Sequence, residues 1–110
     1  MFEIKTARLG KKHNNFQFNG INPNYNYDYL ICVGITKTDV YYRIVSKKID
    51  FQYIHEKKKR GYWVNIMNSL KKIVEMNPDN KVNHKLTLPL KLMNNFVDFE
   101  TEIKKILDIK

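Results

Sequence analysis

The chain has 110 residues, enough for one domain (residues 1–110) with a modest core, and its 20 Lys and Arg against 11 Asp and Glu leave a formal charge of +9. This charge predicts a polyanionic partner, first of all nucleic acid, although so much lysine is also typical of a composition bias. The one cysteine, Cys32, excludes an intrachain disulfide and a cysteine-cluster zinc site. Neither a leader nor an apolar run near the roughly 20 residues that span a bilayer is recognisable, so we expect a soluble, cytoplasmic protein without a membrane partner.

The first predicted element is a strand over residues 2 to 6. Because side chains alternate along a strand, Glu3 and Lys5 share one face there. A carboxylate beside a lysine suits metal-dependent phosphodiester hydrolysis, with Glu3 and the Ile4 carbonyl as candidate Mg²⁺ ligands. Lys5 is then the candidate catalytic residue that orients the attacking water and offsets charge on the phosphate. The competing interpretation is a solvated ion pair with no chemical role.

Two further strands are predicted in the first half of the chain. The stretch from Leu9 to Asn26 is rich in Gly, Lys and Asn and predicts a long loop, with a short ordered piece near Phe16 to Ile21. Tyr29 to Ile35 is continuously apolar, which predicts a strand covered on both faces. Val40 to Ser46 follows a turn and completes an antiparallel hairpin, while the long crossover allows the first two strands to pair in parallel.

The second half of the chain predicts helices around one short strand. An amphipathic helix ended by Asn77-Pro78 is indicated by apolar residues at helical spacing, namely Trp63, Ile66, Met67, Leu70, Ile73 and Val74. A short strand over Leu86 to Leu90 contains Pro89, which places the strand at a sheet edge or terminates it, and a final helix runs from about Asp98. The element order predicts an α/β (α+β) fold with a small mixed β-sheet flanked by helices.

Three segments carry a family resemblance: Glu3-Ile4-Lys5-Thr6-Ala7-Arg8-Leu9-Gly10, Phe16-Gln17-Phe18 and Asp28-Tyr29-Leu30-Ile31-Cys32-Val33-Gly34-Ile35. In this order they resemble the C-terminal part of type II restriction endonucleases of the PD-(D/E)XK superfamily. The resemblance covers roughly residues 2 to 50 and implies a partial restriction-endonuclease-like core. It also implies Glu3 as the metal-binding carboxylate, Lys5 as the catalytic lysine and Mg²⁺ as the cofactor.

The upstream acidic residue of that motif has no counterpart before Glu3. We therefore expect a chain truncated on its N-terminal side, an inactive relic, or one part of an enzyme whose second carboxylate comes from another chain. A core strand without its usual neighbours also leaves an open sheet edge, which favours self-association. A homodimer or a complementary chain is the expected protein partner.

Two basic clusters predict contacts with duplex DNA. The resemblance to restriction endonucleases implies that Gln17 also lies near the phosphate. The predicted DNA-binding residues are Arg8, Lys11, Lys12, Gln17, Lys57, Lys58, Lys59 and Arg60. For the second cluster, a solvated loop explains the charges equally well. The sequence thus predicts a DNA-binding domain that hydrolyses phosphodiesters with a metal ion if a missing segment or a partner completes it. The alternatives are a non-catalytic basic α/β module that binds nucleic acid or a protein, and a structural domain whose charge is compositional.

Overall fold

Two β-sheets make up most of the chain in the computed structural model, which describes residues 1–77 and 80–108. The strands are β1 (Phe2–Arg8), β2 (Asn15–Ile21), β3 (Tyr29–Ile35), β4 (Val40–Ser46), β5 (Phe51–Ile54), β6 (Gly61–Ile66), β7 (Ser69–Asn77), β8 (Asn80–Pro89) and β9 (Asn94–Asn95). The helices are α1 (Lys47–Asp50) and α2 (Phe99–Asp108), with short 3-10 turns at Leu90–Leu92 and Phe96–Asp98.

The first sheet has the strand order β1-β3-β4-β9. β1 pairs in parallel with β3, from Phe2 opposite Tyr29 to Arg8 opposite Ile35. β3 and β4 form an antiparallel hairpin. The predicted parallel pair and the predicted hairpin are both confirmed, and β1 lies at an edge of this sheet because β3 is its only neighbour in the strand order.

The second sheet is antiparallel throughout, with the order β2-β8-β7-β6-β5. β2, expected only as a short ordered piece within a loop, pairs with β8 from Asn15 opposite Pro89 to Ile21 opposite His84. β8 is longer than the predicted strand and is central, not an edge strand, although Pro89 does end it. The predicted long loop therefore contains a full crossover strand that belongs to the other sheet.

The predicted amphipathic helix between Trp63 and Val74 is wrong. The region forms strands β6 and β7, joined by Met67 and Asn68 in left-handed conformation, with φ of 51° and 66°. Burial alternates along both strands: Val64 is buried while its neighbour Asn65 is exposed. Of the six apolar residues that suggested the helix, only Ile66 and Ile73 are buried, while Met67, Leu70 and Val74 are exposed. Apolar residues on both faces of a short hairpin therefore fell at helical spacing without forming one buried stripe. Pro78, expected to end the helix, lies outside the described residues.

The predicted arrangement of one mixed sheet flanked by helices is also wrong, and with it the partial restriction-endonuclease-like core. The two sheets pack face to face over a shared core of buried side chains, including Phe16, Phe18, Leu30, Cys32, Val45, Val64, Leu86 and Leu88. In the described part of the chain, α2 covers the outer face of the first sheet, where Phe99, Ile103 and Ile106 pack against β3 and β4. The described chain has one long amphipathic helix, so the apolar face of a five-stranded sheet is buried by the other sheet instead.

The predicted cover of β3 on both faces is confirmed. β3 is covered on both faces, by the second sheet at Leu30 and Cys32 and by α2 at Ile31. Burial raises the pKa of the Cys32 thiol to about 12, as expected for an inert buried cysteine. Among the described residues, no helix has the length and apolar character needed to cross a membrane.

Candidate nucleic-acid interface

Glu3 and Lys5 form an ion pair on the side of β1 that faces the second sheet. The Lys5 Nζ lies 3.2 Å from the Glu3 Oε1, and their side chains are 24% and 33% exposed, respectively. Gly20, in the irregular part of β2 with φ of 74°, leaves room for the ammonium, since a Cβ there would lie 3.3 Å from the Lys5 Nζ. The pair is therefore half-buried at the corner where the two sheets separate.

A buried tyrosine lies close enough to this pair to feel its charge. Tyr27 is 3% exposed, and its hydroxyl has no hydrogen-bond partner among the described residues. Burial is the main reason that the pKa of Tyr27 lies far above its usual value, and the negative charge of Glu3 raises it further. The corner thus combines a carboxylate, an ammonium and a neutral phenol.

Metal binding at this corner stays a prediction. Within residues 1–77 and 80–108, no group of three or more His, Cys, Asp or Glu side chains is arranged to hold a metal ion. The Glu3 carboxylate is instead engaged by Lys5. The chemistry predicted for Glu3 and Lys5 needs a further carboxylate, and the described residues do not place one beside Glu3.

The turn between β1 and β2 carries Lys11 and Lys12 and is fixed against the end of β8. The Gly10 amide donates to the Asn15 carbonyl at 2.9 Å, and the Leu90 amide donates to the Asn14 carbonyl at the same distance. Asn14 has a φ of 50°, a left-handed conformation that asparagine tolerates well. These bonds hold the lysine-bearing turn beside the chain segment that follows β8.

Two adjoining concavities at this turn form one basic groove. The first, about 310 Å³, is lined by residues that include Lys11, Lys12, Gln17 and Thr87, and the second, about 420 Å³, by residues that include Lys91, with His13 shared between them. Gln17 and Thr87 are direct neighbours in the β2–β8 ladder on the outer face of the second sheet. We call this surface the basic groove, formed by Lys11, Lys12, His13, Gln17, Thr87 and Lys91.

The cations of the basic groove have no acidic partners in the described part of the chain. The ion pairs there join Lys5 to Glu3, Lys104 to Glu100, and the terminal amine to Asp28. Lys11, Lys12 and Lys91 are therefore exposed cations that no ion pair among the described residues neutralises. The groove also offers donors, since the exposed Gln17 amide reaches only Asn19, at 2.9 Å.

The other predicted DNA-binding residues lie elsewhere. Arg8 is exposed on the face of β1 opposite to Glu3 and Lys5, so it does not join the ion pair. Lys57, Lys58, Lys59 and Arg60 occupy the exposed turn between β5 and β6. The second cluster is far from the basic groove in two directions. Across the second sheet, β5 and β2 are the two opposite edge strands. Along the strands, the β5–β6 turn lies at the end of the sheet opposite to Asn15 and Pro89. The structure thus brings Lys11, Lys12 and Gln17 together and separates them from the second cluster.

Sequence reasoning missed Lys91 and Thr87. Both join the groove only because β8 pairs with β2, a partner remote in sequence. A lysine just after Pro89 carries no local signal for this role. Comparison with family models, curated proteins and solved structures finds no match for this chain.

Proposed function

We propose that this chain is a non-catalytic β-sheet module that binds the phosphate backbone of nucleic acid through the basic groove. The observation that carries the proposal is that Lys11 and Lys12 line one concavity and Lys91 lines the adjoining one, with no acidic partner in the described chain. The excess of nine positive charges over the whole sequence supports it. Duplex DNA is the proposed partner.

In this mechanism the lysine ammonium groups contact phosphate oxygens and release condensed counterions, which supplies most of the affinity. The Gln17 amide and the Thr87 hydroxyl donate further hydrogen bonds to the backbone, and such contacts orient the protein without reading sequence. Binding is therefore expected to depend steeply on salt and little on base sequence.

The test compares two double variants with the same change in charge. Lys11→Gln/Lys12→Gln removes cations from the basic groove, and Lys57→Gln/Lys58→Gln removes two from the remote β5–β6 turn. Affinity for a fluorescent DNA duplex is measured by anisotropy over a series of salt concentrations. The groove variant should bind more weakly, and its slope of log affinity against log salt should fall by about 1.8, at about 0.9 per lost phosphate contact.

The control should keep a slope close to that of the original chain. If both variants lose affinity and slope equally, binding is a response to net charge and the groove has no special role. If neither changes, the groove does not contact DNA.

Metal-dependent hydrolysis is a second candidate function, favoured by the half-buried pair of Glu3 and Lys5 at 3.2 Å. The missing carboxylate would come from a second copy or a complementary chain docked along the edge strand β1, a position open to strand pairing. Supercoiled plasmid is incubated with Mg²⁺ or Mn²⁺ and the original chain or Lys5→Ala. Nicking that disappears in the variant supports hydrolysis, and equal nicking by both proteins contradicts a role for Lys5.

A further inference from the structure

A second cavity opens at the end of the second sheet away from the basic groove. Its volume is about 700 Å³, and it lies on the face of the sheet that turns toward the core. Its lining includes Asn24, Tyr53, Arg60, Tyr62, Glu75 and His84. Nothing in the proposed backbone contact uses these side chains.

His84 lies at the buried side of this cavity. It projects from β8 on the same face as the core residues Leu86 and Leu88 and is only 5% exposed. Its Nδ1 atom has no hydrogen-bond partner among the described residues. This nitrogen is closed to solvent, so the cavity meets the imidazole through other atoms of the ring.

Glu75 lies directly across from His84 in the β7–β8 ladder and is exposed. Side chains opposite each other in antiparallel strands have Cβ atoms about 4.5–5.5 Å apart. The exposed Glu75 carboxylate therefore stands beside the His84 ring along the cavity. A carboxylate only accepts hydrogen bonds, which suits the amino group of a planar heterocycle.

The opposite wall is aromatic. The rings of Tyr53 and Tyr62 meet edge to face with centroids 4.9 Å apart. The Tyr62 hydroxyl donates to the Asn24 Oδ1 at 2.8 Å, which fixes this ring, while Tyr53 stays 42% exposed. The Tyr53 ring also lies beside the His55 ring, with centroids 4.7 Å apart, and its exposed part is where a flat base can stack.

Arg60 provides a cation among the residues that line the cavity. Its side chain is exposed, and one guanidinium nitrogen donates to the His55 carbonyl at 3.2 Å. The remaining N–H groups suit a phosphate, which arginine binds through paired hydrogen bonds. The cavity therefore combines a stacking face, a polar edge and an anion site.

We propose that this cavity binds a nucleotide, with the base on Tyr53, its amino edge toward Glu75 and His84, and its phosphate at Arg60. The inference stands on its own residues and does not depend on the basic groove. Adenine and cytosine present an amino donor to the carboxylate, whereas uracil presents a carbonyl oxygen at the corresponding position. Cytidine monophosphate should therefore bind more tightly than uridine monophosphate.

The first measurement is a titration of the ¹⁵N-labelled chain with cytidine monophosphate, followed through the ring signals of His84. A shift of those signals is expected, and their constancy while other signals move would overturn the assignment. A 5′-phosphorylated single-stranded trinucleotide is titrated in parallel. A response to both ligands supports a free nucleotide or a strand end as the source, and a response to the trinucleotide alone supports a strand. No response to either overturns the proposal.

Calorimetry then compares exposed-residue variants that leave the core intact. Tyr53→Ala should weaken cytidine monophosphate binding by about tenfold through lost stacking. Arg60→Gln should weaken binding of the nucleotide but not of the nucleoside cytidine, and Glu75→Gln should reduce the preference over uridine monophosphate. Lys58→Gln, from the same turn, is the matched control and should change nothing. Equal losses in Lys58→Gln and Arg60→Gln would contradict the phosphate site.

The Lys11→Gln/Lys12→Gln variant separates this inference from the proposed function. It should lose affinity for duplex DNA and keep cytidine monophosphate binding. A parallel loss of both would mean that the cavity is not an independent site.

Discussion

Gly34 offers the sharpest test of how the two sheets pack. It lies in β3 on the face toward the second sheet, where a Cβ atom would come within 2.7 Å of two ring carbons of Phe16 and 2.8 Å of a third. Phe16 is fully buried, and its ring lies near Phe18 and Tyr41, with centroids 6.2 and 6.4 Å away. Gly34→Ala therefore forces a methyl group into a space that the ring already fills.

The expected cost follows from this overlap. Overpacking of a filled core costs about 1–3 kcal/mol of unfolding free energy. Without the ring, alanine would instead stabilise a strand interior relative to glycine by roughly 0.5–1 kcal/mol. The two situations differ in sign, which makes the measurement decisive. For a domain of about this size the expected loss lowers the melting temperature by roughly 4–8 °C per kcal/mol.

Urea unfolding of four proteins measures the effect: the original chain, Gly34→Ala, Phe16→Leu and the double variant. Leucine shortens the obstructing side chain, so the double variant should be more stable than the sum of the two single losses allows. The coupling should amount to about 0.5–3 kcal/mol. A Gly34→Ala variant as stable as the original chain, or additive losses in the cycle, would refute the packing of β3 against Phe16.

Two further substitutions test other parts of the structure. Tyr42→Phe removes a hydroxyl that donates to the Glu102 carboxylate at 2.7 Å, so urea unfolding should show a loss of about 1.5–3 kcal/mol. Burial first, and then this carboxylate, raises the pKa of Tyr42 from 10.0 to about 12, so the bond's contribution is complete below pH 10 and is lost as the pH rises toward 12. The phenylalanine variant should lose less stability over that interval, and an identical decline in both proteins would contradict the assignment. Met67→Asn/Asn68→Gly places the preferred residues in the left-handed turn between β6 and β7 and should raise stability by about 1 kcal/mol. A lower melting temperature for this double variant would instead favour the helix that the spacing of apolar residues predicts, because glycine weakens a helix interior.

The sequence alone was sufficient for elements whose signals are local. The continuous apolar run of β3, its hairpin with β4 and the apolar stripe of α2 were predicted because each lies within one short segment. The parallel pairing of β1 with β3 followed from a crossover long enough to allow it. The shared face of Glu3 and Lys5 likewise needed only the alternation of side chains along one strand.

Tertiary structure alone decided how the second sheet is assembled. Its hydrogen bonds join β2 to β8, which is remote in sequence, so no local pattern shows this pairing or brings Lys91 to the concavity next to that of Lys11. Apolar residues in a short hairpin can also fit a helical period. The region forms strands β6 and β7 and not a helix because their inward side chains are buried against the other sheet. For the same reason, His84 has no distinguishing signal in the sequence. It acquires one in the folded sheet, because β8 buries its ring, leaves one nitrogen without a partner and places the residue in the lining of a cavity.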